Sequence, residues 1–597
     1  MSEYIAPIRD MQFVLKELAG LEQVAQLPTC EEATPDLVDA VLEEAAKFAE
    51  QVLSPLNWSG DQEGAKWHDK AVIMPAGFKE AYRLFAESGW TALASEPEWG
   101  GQGLPKVVAA AIAEMWKSAN HSFSLCPLLT TGAIEALVLS GSEALKKTYL
   151  EKMVSGEWTG TMNLTEPSAG SDLAAVRTRA EPQADGSYRV FGQKIFITYG
   201  EHDLAENIIH LVLARTPTAP EGVKGISLFV VPKFLVNADG SLGERNDAYC
   251  VSIEHKLGIH ASPTAIMAFG DRQGAVGYLV GEENRGIEYM FIMMNAARFG
   301  VGLEGVAACE RAYQRARDYA RERIQCTDIG VRGGPKVAII NHPDVRRMLM
   351  TMRAHAEATR ALAYVVAAAH DAAVHHPDPE LRRDNQAFVD LMIPVVKGWS
   401  TESGVTIASI GVQVHGGMGY VEETGAAQHL RDAQISTIYE GTTGIQANDL
   451  IGRKMAREDG ATLKRVIGTM RALDAELAGQ GGADFVAIRR RLAAGVDALA
   501  AAGEWLVAIY RSDVRAASAG AVPFLTLLGI VAGGWQMARA ALIAQARIEE
   551  GERDPFYAAK IVTTRFYADH VLSRAAGLAS SITDGAAGVL GLAEDMF

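Results

Sequence analysis

The apolar pattern of this chain changes twice along its length. Up to residue 157, and again from residue 286, apolar residues recur at the three- and four-residue spacing of helices. Between residues 158 and 285 they form short alternating or continuous runs, such as Val190–Thr198 and Ile208–Ala214, which are typical of strands. The pattern therefore predicts a mainly α-helical protein with a central β domain.

The length of the chain predicts several domains, because 597 residues are too many for one hydrophobic core. We expect an N-terminal arm and helical domain over residues 1–157, a middle β domain over 158–285, a helical bundle over 286–455 and an extra helical domain over 456–597. Gly479–Gly482 predicts a flexible break within the last segment. Residues 330–341 look like an inserted loop between two helices.

Charge and cysteine content exclude some classes of partner and compartment. The net charge is −17 and no block of Lys or Arg occurs, which argues against nucleic acid or an anionic membrane as the main partner. From residue 461 onward, 14 basic and 14 acidic side chains balance. The five cysteines are scattered and odd in number, so a reducing cytoplasm is expected. The N-terminus has no signal-peptide pattern.

One long apolar run, Ala521–Ala544, has the length of a membrane span. Pro523, Gln536 and Arg539 interrupt it. We therefore expect a buried helix or helix pair and no stable membrane span.

A single carboxylate, Glu440, lies between the apolar residues of 435–439 and the Gly-Thr-Thr-Gly of 441–444. An apolar approach should raise its pKa, which suits a general base. Gly441 permits a tight turn, and Thr442 or Thr443 can cap a following helix, whose N-terminus lowers the pKa again. Taken in isolation, the same residues are also compatible with a surface glutamate in a turn.

The segment Arg431–Ala433 followed by Ile438–Thr442 resembles the catalytic segment of the acyl-CoA dehydrogenase family. In that family the corresponding glutamate removes the α-proton of an acyl-CoA while a hydride leaves the β-carbon for flavin N5. The resemblance implies that Glu440 is the base, that Tyr439 and Gly441 contact substrate, and that Thr442 contacts FAD. It also implies an N-terminal helical domain, a middle β-barrel domain and a C-terminal four-helix bundle.

Two motifs of the β region resemble the flavin site of the family. Residues 162–172 resemble T-E-P-x-A-G-S-D, and turn clusters of this kind offer N–H and hydroxyl donors to a polar ring edge. Residues 194–198 resemble K-x-W-I-T-N, with a Phe in place of Trp and Tyr199 in place of Asn. A bare turn and a half-buried strand are the alternative interpretations. The resemblance implies that the flavin contacts are Met162, Leu164, Thr165, Gly170, Ser171, Phe196 and Thr198, with Ser171 also touching the acyl-CoA.

Three motifs of the second helical region complete the resemblance. Arg298 matches an arginine near the thioester, and the preceding Ala297 occupies a position where some relatives carry the base. Arg323 and Gln325 resemble R-x-Q-F-G, whose arginine binds the flavin diphosphate of a neighbouring subunit; Arg323 could instead belong to a solvated charge run. Residues 413–420 resemble Q-x-x-G-G-x-G-Y, in which glycines permit close approach to a diphosphate. The FAD contacts implied here are Gln413, Gly416 and Gly417.

The resemblance covers roughly residues 30–455, and the extension is similar to a long bacterial subgroup that includes 3-methylmercaptopropionyl-CoA and fatty acyl-CoA dehydrogenases. It implies FAD-dependent oxidation of an acyl-CoA to the trans-2-enoyl-CoA in fatty acid β-oxidation. Electrons would pass to electron-transfer flavoprotein, and no metal is expected. A homodimer is expected, with a tetramer as the alternative. Three alternative functions stay open: 3-methylmercaptopropionyl-CoA dehydrogenase, acyl-CoA oxidase and a DNA-associated flavoprotein.

Overall fold

The computed structural model describes residues 4–597 and divides into two compact units. The first unit contains the chain up to Ala46, Pro105–Ser118 and Arg298–Phe597. The second contains Lys47–Leu104 and Ala119–Ala297. The predicted order of helices, β structure, helices and a helical extension is confirmed.

The second unit combines helices with the strands of the β domain. Its helices are Ser54–Glu63, Phe78–Glu87, His121–Ser140 and Glu143–Val154. Its strands are β1 (Lys66–His68), β2 (Ala71–Ile73), β3 (Trp158–Asn163), β4 (Arg179–Pro182), β5 (Tyr188–Thr198), β6 (Asn207–Ala214), β7 (Ser227–Pro232), β8 (Phe234–Val236), β9 (Leu242–Arg245), β10 (Ala248–Ile253), β11 (Thr264–Phe269) and β12 (Ala275–Val280).

The main sheet of this unit has the order β10-β11-β5-β12-β7-β6-β3, with β4 beside β5. The pair β3–β6 is parallel, and the other pairs of this sheet are antiparallel. Helix His121–Ser140 packs on β3 so closely that a Cβ at Gly160 would lie 2.5 Å from Ala133 Cβ. Trp158, Ile209, Val230 and Met293 belong to the core that forms there.

A small hairpin of β1 and β2 interrupts the region that the pattern predicts as helical. Its turn residues Asp69 and Lys70 have positive φ angles of 43° and 68°. Such turns usually carry Asn-Gly or Asp-Gly, and the absence of glycine removes the signal that would have predicted this hairpin.

Helices dominate the first unit. In chain order they are Ile8–Phe13, Leu21–Val24, Pro35–Phe48, Lys106–Ala119, Gly286–Glu322 (from Arg298 onward), Pro343–His375, Pro379–His415, Ala426–Gln434, Thr443–Asp449, Ala461–Ala478, Ala483–Tyr510, Val514–Ala519, Ala521–Glu549, Pro555–His570, Ala575–Asp584 and Ala586–Val589.

The inserted loop expected at residues 330–341 is in part a β-hairpin. Strand β13 (Ile324–Thr327) pairs with β14 (Lys336–Ala338). The segment between the two helices is therefore an insertion, as predicted, but residues 336–338 of it form a strand instead of a loop. The glycines of this segment indicate a loop, and the second strand is too short to give a strand pattern of its own.

Glycines bring three long helices of the first unit into close contact. A Cβ at Gly305 of helix Gly286–Glu322 would lie 2.2 Å from the Ser400 carbonyl carbon of helix Pro379–His415. A Cβ at Gly529 of helix Ala521–Glu549 would lie 2.3 Å from Trp399 Cγ. Because no larger side chain fits at either position, the extension packs directly on the bundle.

The run from Ala521 to Ala544 lies within one helix, and 83% of its most apolar window is buried inside the fold. Helices His121–Ser140 and Ala483–Tyr510 are likewise long and apolar enough to cross a membrane by length and composition. Burial against neighbouring helices accounts for the apolar face of Ala521–Glu549.

A buried ion cluster joins the N-terminal arm to the bundle and the extension. Arg360 Nη1 lies 2.6 Å from Asp10 Oδ2, and its Nη2 lies 2.8 Å from Glu310 Oε2. Lys560 contacts Asp10 and donates to Glu357 Oε2 at 2.9 Å. Each charge has an opposite partner, which buried charges require.

Candidate functional site

Glu440 occupies a strained turn that its neighbours hold in place. Its φ angle is +54° and that of Gly441 is +86°. Both residues are in the left-handed region, which only glycine adopts without steric strain. The Thr442 hydroxyl accepts a hydrogen bond from Ile445 N at 3.2 Å and caps helix Thr443–Asp449, so the predicted cap is confirmed. Gln446 Nε2 donates to the carbonyl oxygens of Glu440 and Gly441 at 3.1 and 3.3 Å. Strain of about 1–3 kcal/mol at a non-glycine residue is typical of functional sites.

The pKa of Glu440 is raised from its ordinary value to about 7, chiefly because burial disfavours the charged form. Arg298 and Lys397 lower the pKa, and Glu304 raises it further. Part of the side chain remains accessible, and Ile438 is 52% exposed. Ile438, the apolar residue two positions before Glu440, is therefore too exposed to account for this burial by itself.

Arg298 is a buried cation whose charge acts on Glu440. Its Nη1 atom lies 3.3 Å from Asp449 Oδ2, on the helix that follows Glu440. Asp449 also accepts a hydrogen bond of 2.5 Å from Arg453. Arg298 thus has the carboxylate partner that a buried arginine requires, and its charge still reaches Glu440.

A second set of buried charges lies behind Tyr439, and the sequence did not reveal it. The Tyr439 hydroxyl donates to Glu304, which also lies 3.6 Å from Lys117 Nζ. Thr443, four residues after Tyr439, donates to Glu402 at 2.6 Å, and Glu402 itself is exposed. The only available signal was that Glu304, like Lys397, interrupts an apolar stretch of a long helix.

The residues predicted at the flavin ring occur in the second unit. Met162 is in β3, and Leu164 and Thr165 follow it. The Thr165 carbonyl oxygen accepts a hydrogen bond of 2.9 Å from Ile195 N. Lys194 Nζ lies 2.8 Å from Glu166 Oε1, a fully buried pair that joins this loop to β5. The pair fixes the loop against the strand, and no local pattern in the sequence predicts it.

Phe196 is the most exposed aromatic residue in this part of the sheet. It has a positive φ of 58°, the residue as a whole is 58% exposed, and Thr198 follows two residues later in β5. The strand pairing shifts register opposite this position, between Ala265 and Met267. Gly170 and Ser171 are also exposed, and the place of a Cβ at Gly170 is open. A flat apolar ring beside open hydroxyl and backbone groups suits a planar ligand.

The third predicted group, with the diphosphate motifs, belongs to the first unit. Gln413, Gly416 and Gly417 are exposed, and the places of Cβ atoms at both glycines are open. Tyr319 joins this loop to Arg323: it stacks on His415 with centroids 4.3 Å apart and carries the Arg323 guanidinium at 5.2 Å. Gln325 lies exposed in β13. Within residues 4–597 no hydrogen bond or ion pair links this group directly to Glu440.

Models of four protein domains match the chain in consecutive order. They are the acyl-CoA dehydrogenase N-terminal domain (36–157), middle domain (161–271) and C-terminal domain (284–455), and the acetyl-CoA dehydrogenase C-terminal-like domain (463–593).

Relatives and solved structures agree with these matches. A 3-methylmercaptopropionyl-CoA dehydrogenase of Ruegeria pomeroyi is 51% identical over 97% of this chain and 98% of its own length. A broad-specificity linear acyl-CoA dehydrogenase of Mycobacterium tuberculosis is 36% identical over 96% of both chains. The structure of a Bacillus anthracis acyl-CoA dehydrogenase complexed with FAD, 21% identical, covers 98% of this chain and 93% of its own with a TM-score of 0.73. With family matches along nearly its whole length, the chain belongs to the acyl-CoA dehydrogenase family.

Proposed function

We propose that this enzyme oxidises an acyl-CoA thioester to the trans-2-enoyl-CoA, with Glu440 as the base. The observation that carries the proposal is the Glu440 turn, a strained carboxylate whose pKa is raised to about 7. A base with a pKa near the working pH combines a large ionised fraction with useful proton affinity. Its Oε atom would take the α-proton while the β-hydride departs. Ala297, the alternative position, has only a methyl group.

The Glu440 backbone supports a second role in this reaction. Its N–H forms no hydrogen bond to any of residues 4–597. A free N–H beside the base could donate to the thioester oxygen and acidify the α-carbon. Arg298, Tyr439, Gly441 and Ser171 are the proposed substrate contacts. The positive charge of Arg298 would also favour the charge that develops near the thioester.

FAD is the proposed cofactor, and the exposed groups described above fit it. Phe196 offers a flat exposed ring, and Gly170, Gly416 and Gly417 have open space where larger residues would carry side chains. When bound, FAD supplies the hydride acceptor. Met162, Leu164, Thr165, Gly170, Ser171, Phe196, Thr198 and Thr442 would hold its ring and adjoining atoms, and Arg323, Gln325, Gln413, Gly416 and Gly417 its diphosphate end.

We propose a short acyl-CoA as the substrate, including the thioether compound that names the Ruegeria pomeroyi relative. The 51% identity along both chains favours this choice over a long-chain substrate. A thioether sulfur replaces a methylene group, so 3-methylmercaptopropionyl-CoA and pentanoyl-CoA have similar shapes and form a matched pair.

The test is a panel of acyl-CoAs of rising length together with that thioether, assayed anaerobically with an artificial electron acceptor. We expect the thioether and pentanoyl-CoA to be oxidised faster than long-chain substrates. Activity with long chains alone would overturn the substrate proposal, and an absence of activity with every acyl-CoA would overturn the function. In a separate aerobic assay without the artificial acceptor, rapid oxygen consumption would instead indicate an acyl-CoA oxidase.

The wider setting is also a proposal. Electron-transfer flavoprotein would accept the electrons, and the enzyme would act in acyl-CoA β-oxidation in the cytoplasm as a homodimer. The cysteines are free, four of them buried, which suits a reducing compartment. The four-segment division at residues 157, 285 and 455 is our proposed domain organisation.

A further inference from the structure

Lys397 is a fully buried lysine without a hydrogen-bond partner. Its exposure is 0%, and its Nζ atom has no partner among the residues that the structure describes. Burying an ammonium group without a partner is unfavourable, so such groups are rare in the absence of compensating charge. Lys397 lies on helix Pro379–His415, which packs against the 3₁₀ turn before Glu440 and the helix after it.

Two glycines bring the helix that carries Lys397 close to the helix that carries Glu304. Cβ atoms at Gly302 and Gly305 would lie 2.6 Å from Val396 Cγ1 and 2.2 Å from the Ser400 carbonyl carbon. The helices that carry Glu304 and Lys397 therefore pack so closely here that no side chain fits between their backbones at Gly302 and Gly305. Lys397 is held there by packing, independently of any hydrogen bond of its own.

Four charged side chains act on Lys397. Three are carboxylates: Glu304 of helix Gly286–Glu322, Glu402 of its own helix and Glu440 of the turn. The fourth is the Arg298 guanidinium. Other groups already bind two of the acids: Tyr439 and Lys117 contact Glu304, and Thr443 donates to Glu402. The Glu440 carboxylate forms no hydrogen bond to the described part of the chain. Two cations act on it: Arg298, which is already paired with Asp449, and Lys397, whose Nζ atom has no hydrogen-bond partner.

We propose that Lys397 is a positioning residue for the base: its buried ammonium charge favours the ionised form of the Glu440 carboxylate before substrate binds, and the charge of Glu304 opposes this effect. The inference rests on the proposed role of Glu440. The α-proton goes to Glu440, while Lys397 keeps its own proton and touches no substrate atom. Burial lowers the pKa of Lys397 to about 8, which still leaves it mostly charged at neutral pH.

Lys397 and Glu304 shift the pKa of Glu440 in opposite directions, which gives a direct test. Removing the positive charge in Lys397→Met should raise the pKa of Glu440, and removing the negative charge in Glu304→Gln should lower it. Lys397→Arg keeps the positive charge, so the titration midpoint of Glu440 should stay at its wild-type value. Lys464→Met, on the surface of the extension, is the matched control.

The measurement is an infrared titration of the protonated carboxyl band that Glu440→Gln abolishes, made on the FAD-loaded protein. The same variants are followed by the pH profile of flavin reduction. We expect the midpoint of Lys397→Met to rise by at least about one pH unit, a tenfold change in proton affinity. Glu304→Gln should move it down, and the control should leave it in place.

A midpoint that stays in place in Lys397→Met, or moves downward, would overturn the inference. If Lys397→Met does not fold, the other two variants provide the test. A titration midpoint that stays in place in Glu304→Gln, or that shifts in Lys397→Arg, would also overturn the inference. Glu440→Gln separates this outcome from failure of the proposed function. An active Glu440→Gln variant refutes the base itself, whereas an inactive one with an unshifted Lys397→Met refutes only the part assigned to Lys397.

Discussion

Lys560 forms a buried ion pair with Asp10, 550 positions earlier in the chain. Removing one partner of a buried pair leaves an uncompensated charge and costs about 3–5 kcal/mol. We therefore expect Lys560→Met to destabilise the first unit by about that amount. Denaturant unfolding followed by circular dichroism measures the change. The exposed-site variant Lys464→Met should stay within about 0.5 kcal/mol of wild type, and equal losses in the two variants would contradict the prediction.

Glu440→Gln should retain fold and FAD but lose flavin reduction. The amide has nearly the same shape and cannot accept a proton, so the rate should fall by at least about 10²–10⁴-fold. Anaerobic stopped-flow bleaching after addition of acyl-CoA measures it. Glu423→Gln, an exposed change outside the site, is the control. Bleaching of the Glu440 variant near the wild-type rate would show that another group is the base.

The pH dependence of the reaction should follow Glu440. Its carboxyl is protonated below about pH 7 and ionised above it. The base acts only when ionised, so flavin reduction should increase with pH through about 7 and then level off. A profile that is flat from pH 5 to 8 would contradict the assignment.

The same group should make stability depend on pH. Because its pKa in the folded protein is raised from 4.5 to about 7, folded Glu440 holds its proton at pH values where unfolded chains lose it. Its favourable contribution is complete below about pH 4.5 and is lost as the pH rises to 7. Glu440→Gln should therefore melt above wild type at pH 8, and the difference should shrink towards pH 5. Melting curves at both pH values test this sign.

Cys326 should report on the assembly of subunits. It is the exposed cysteine of the five and lies in β13 beside Gln325, whereas the other four are buried. If this hairpin contacts a neighbouring subunit, as proposed for Arg323, a thiol reagent should modify Cys326 slowly in the dimer and quickly after dissociation. Cys326→Ser should abolish the rapid phase. Fast labelling in an intact dimer would argue against an interface at this hairpin.

The elements that the sequence predicted correctly have local causes. Thr442 caps its helix because a hydroxyl, a turn and an apolar run follow each other within a few residues. Strand Asn207–Ala214 covers the predicted run Ile208–Ala214, because all but one of the residues of that run are apolar. Resemblance to the family then located the Glu440 turn, which composition alone left ambiguous.

The unpredicted parts depend on contacts between distant segments. Tyr439 and Glu304 are 135 positions apart, and nothing near either residue indicates their hydrogen bond. The isolation of Lys397 exists only because Gly302 and Gly305 allow two long helices to meet. Likewise, the positive φ of Phe196 accompanies a register shift between strands, which a single-strand pattern cannot reveal.

The left-handed backbone conformation of Glu440 opposes catalytic activity to thermal stability. Glycine adopts a φ of +54° without strain, so Glu440→Gly would relieve this turn and remove a buried charge in one step. Selection for heat resistance alone would therefore favour losing the carboxylate. A mutational library screened only for thermal tolerance should enrich glycine at this position, and a lineage that abandoned the reaction would be free to drift in the same direction.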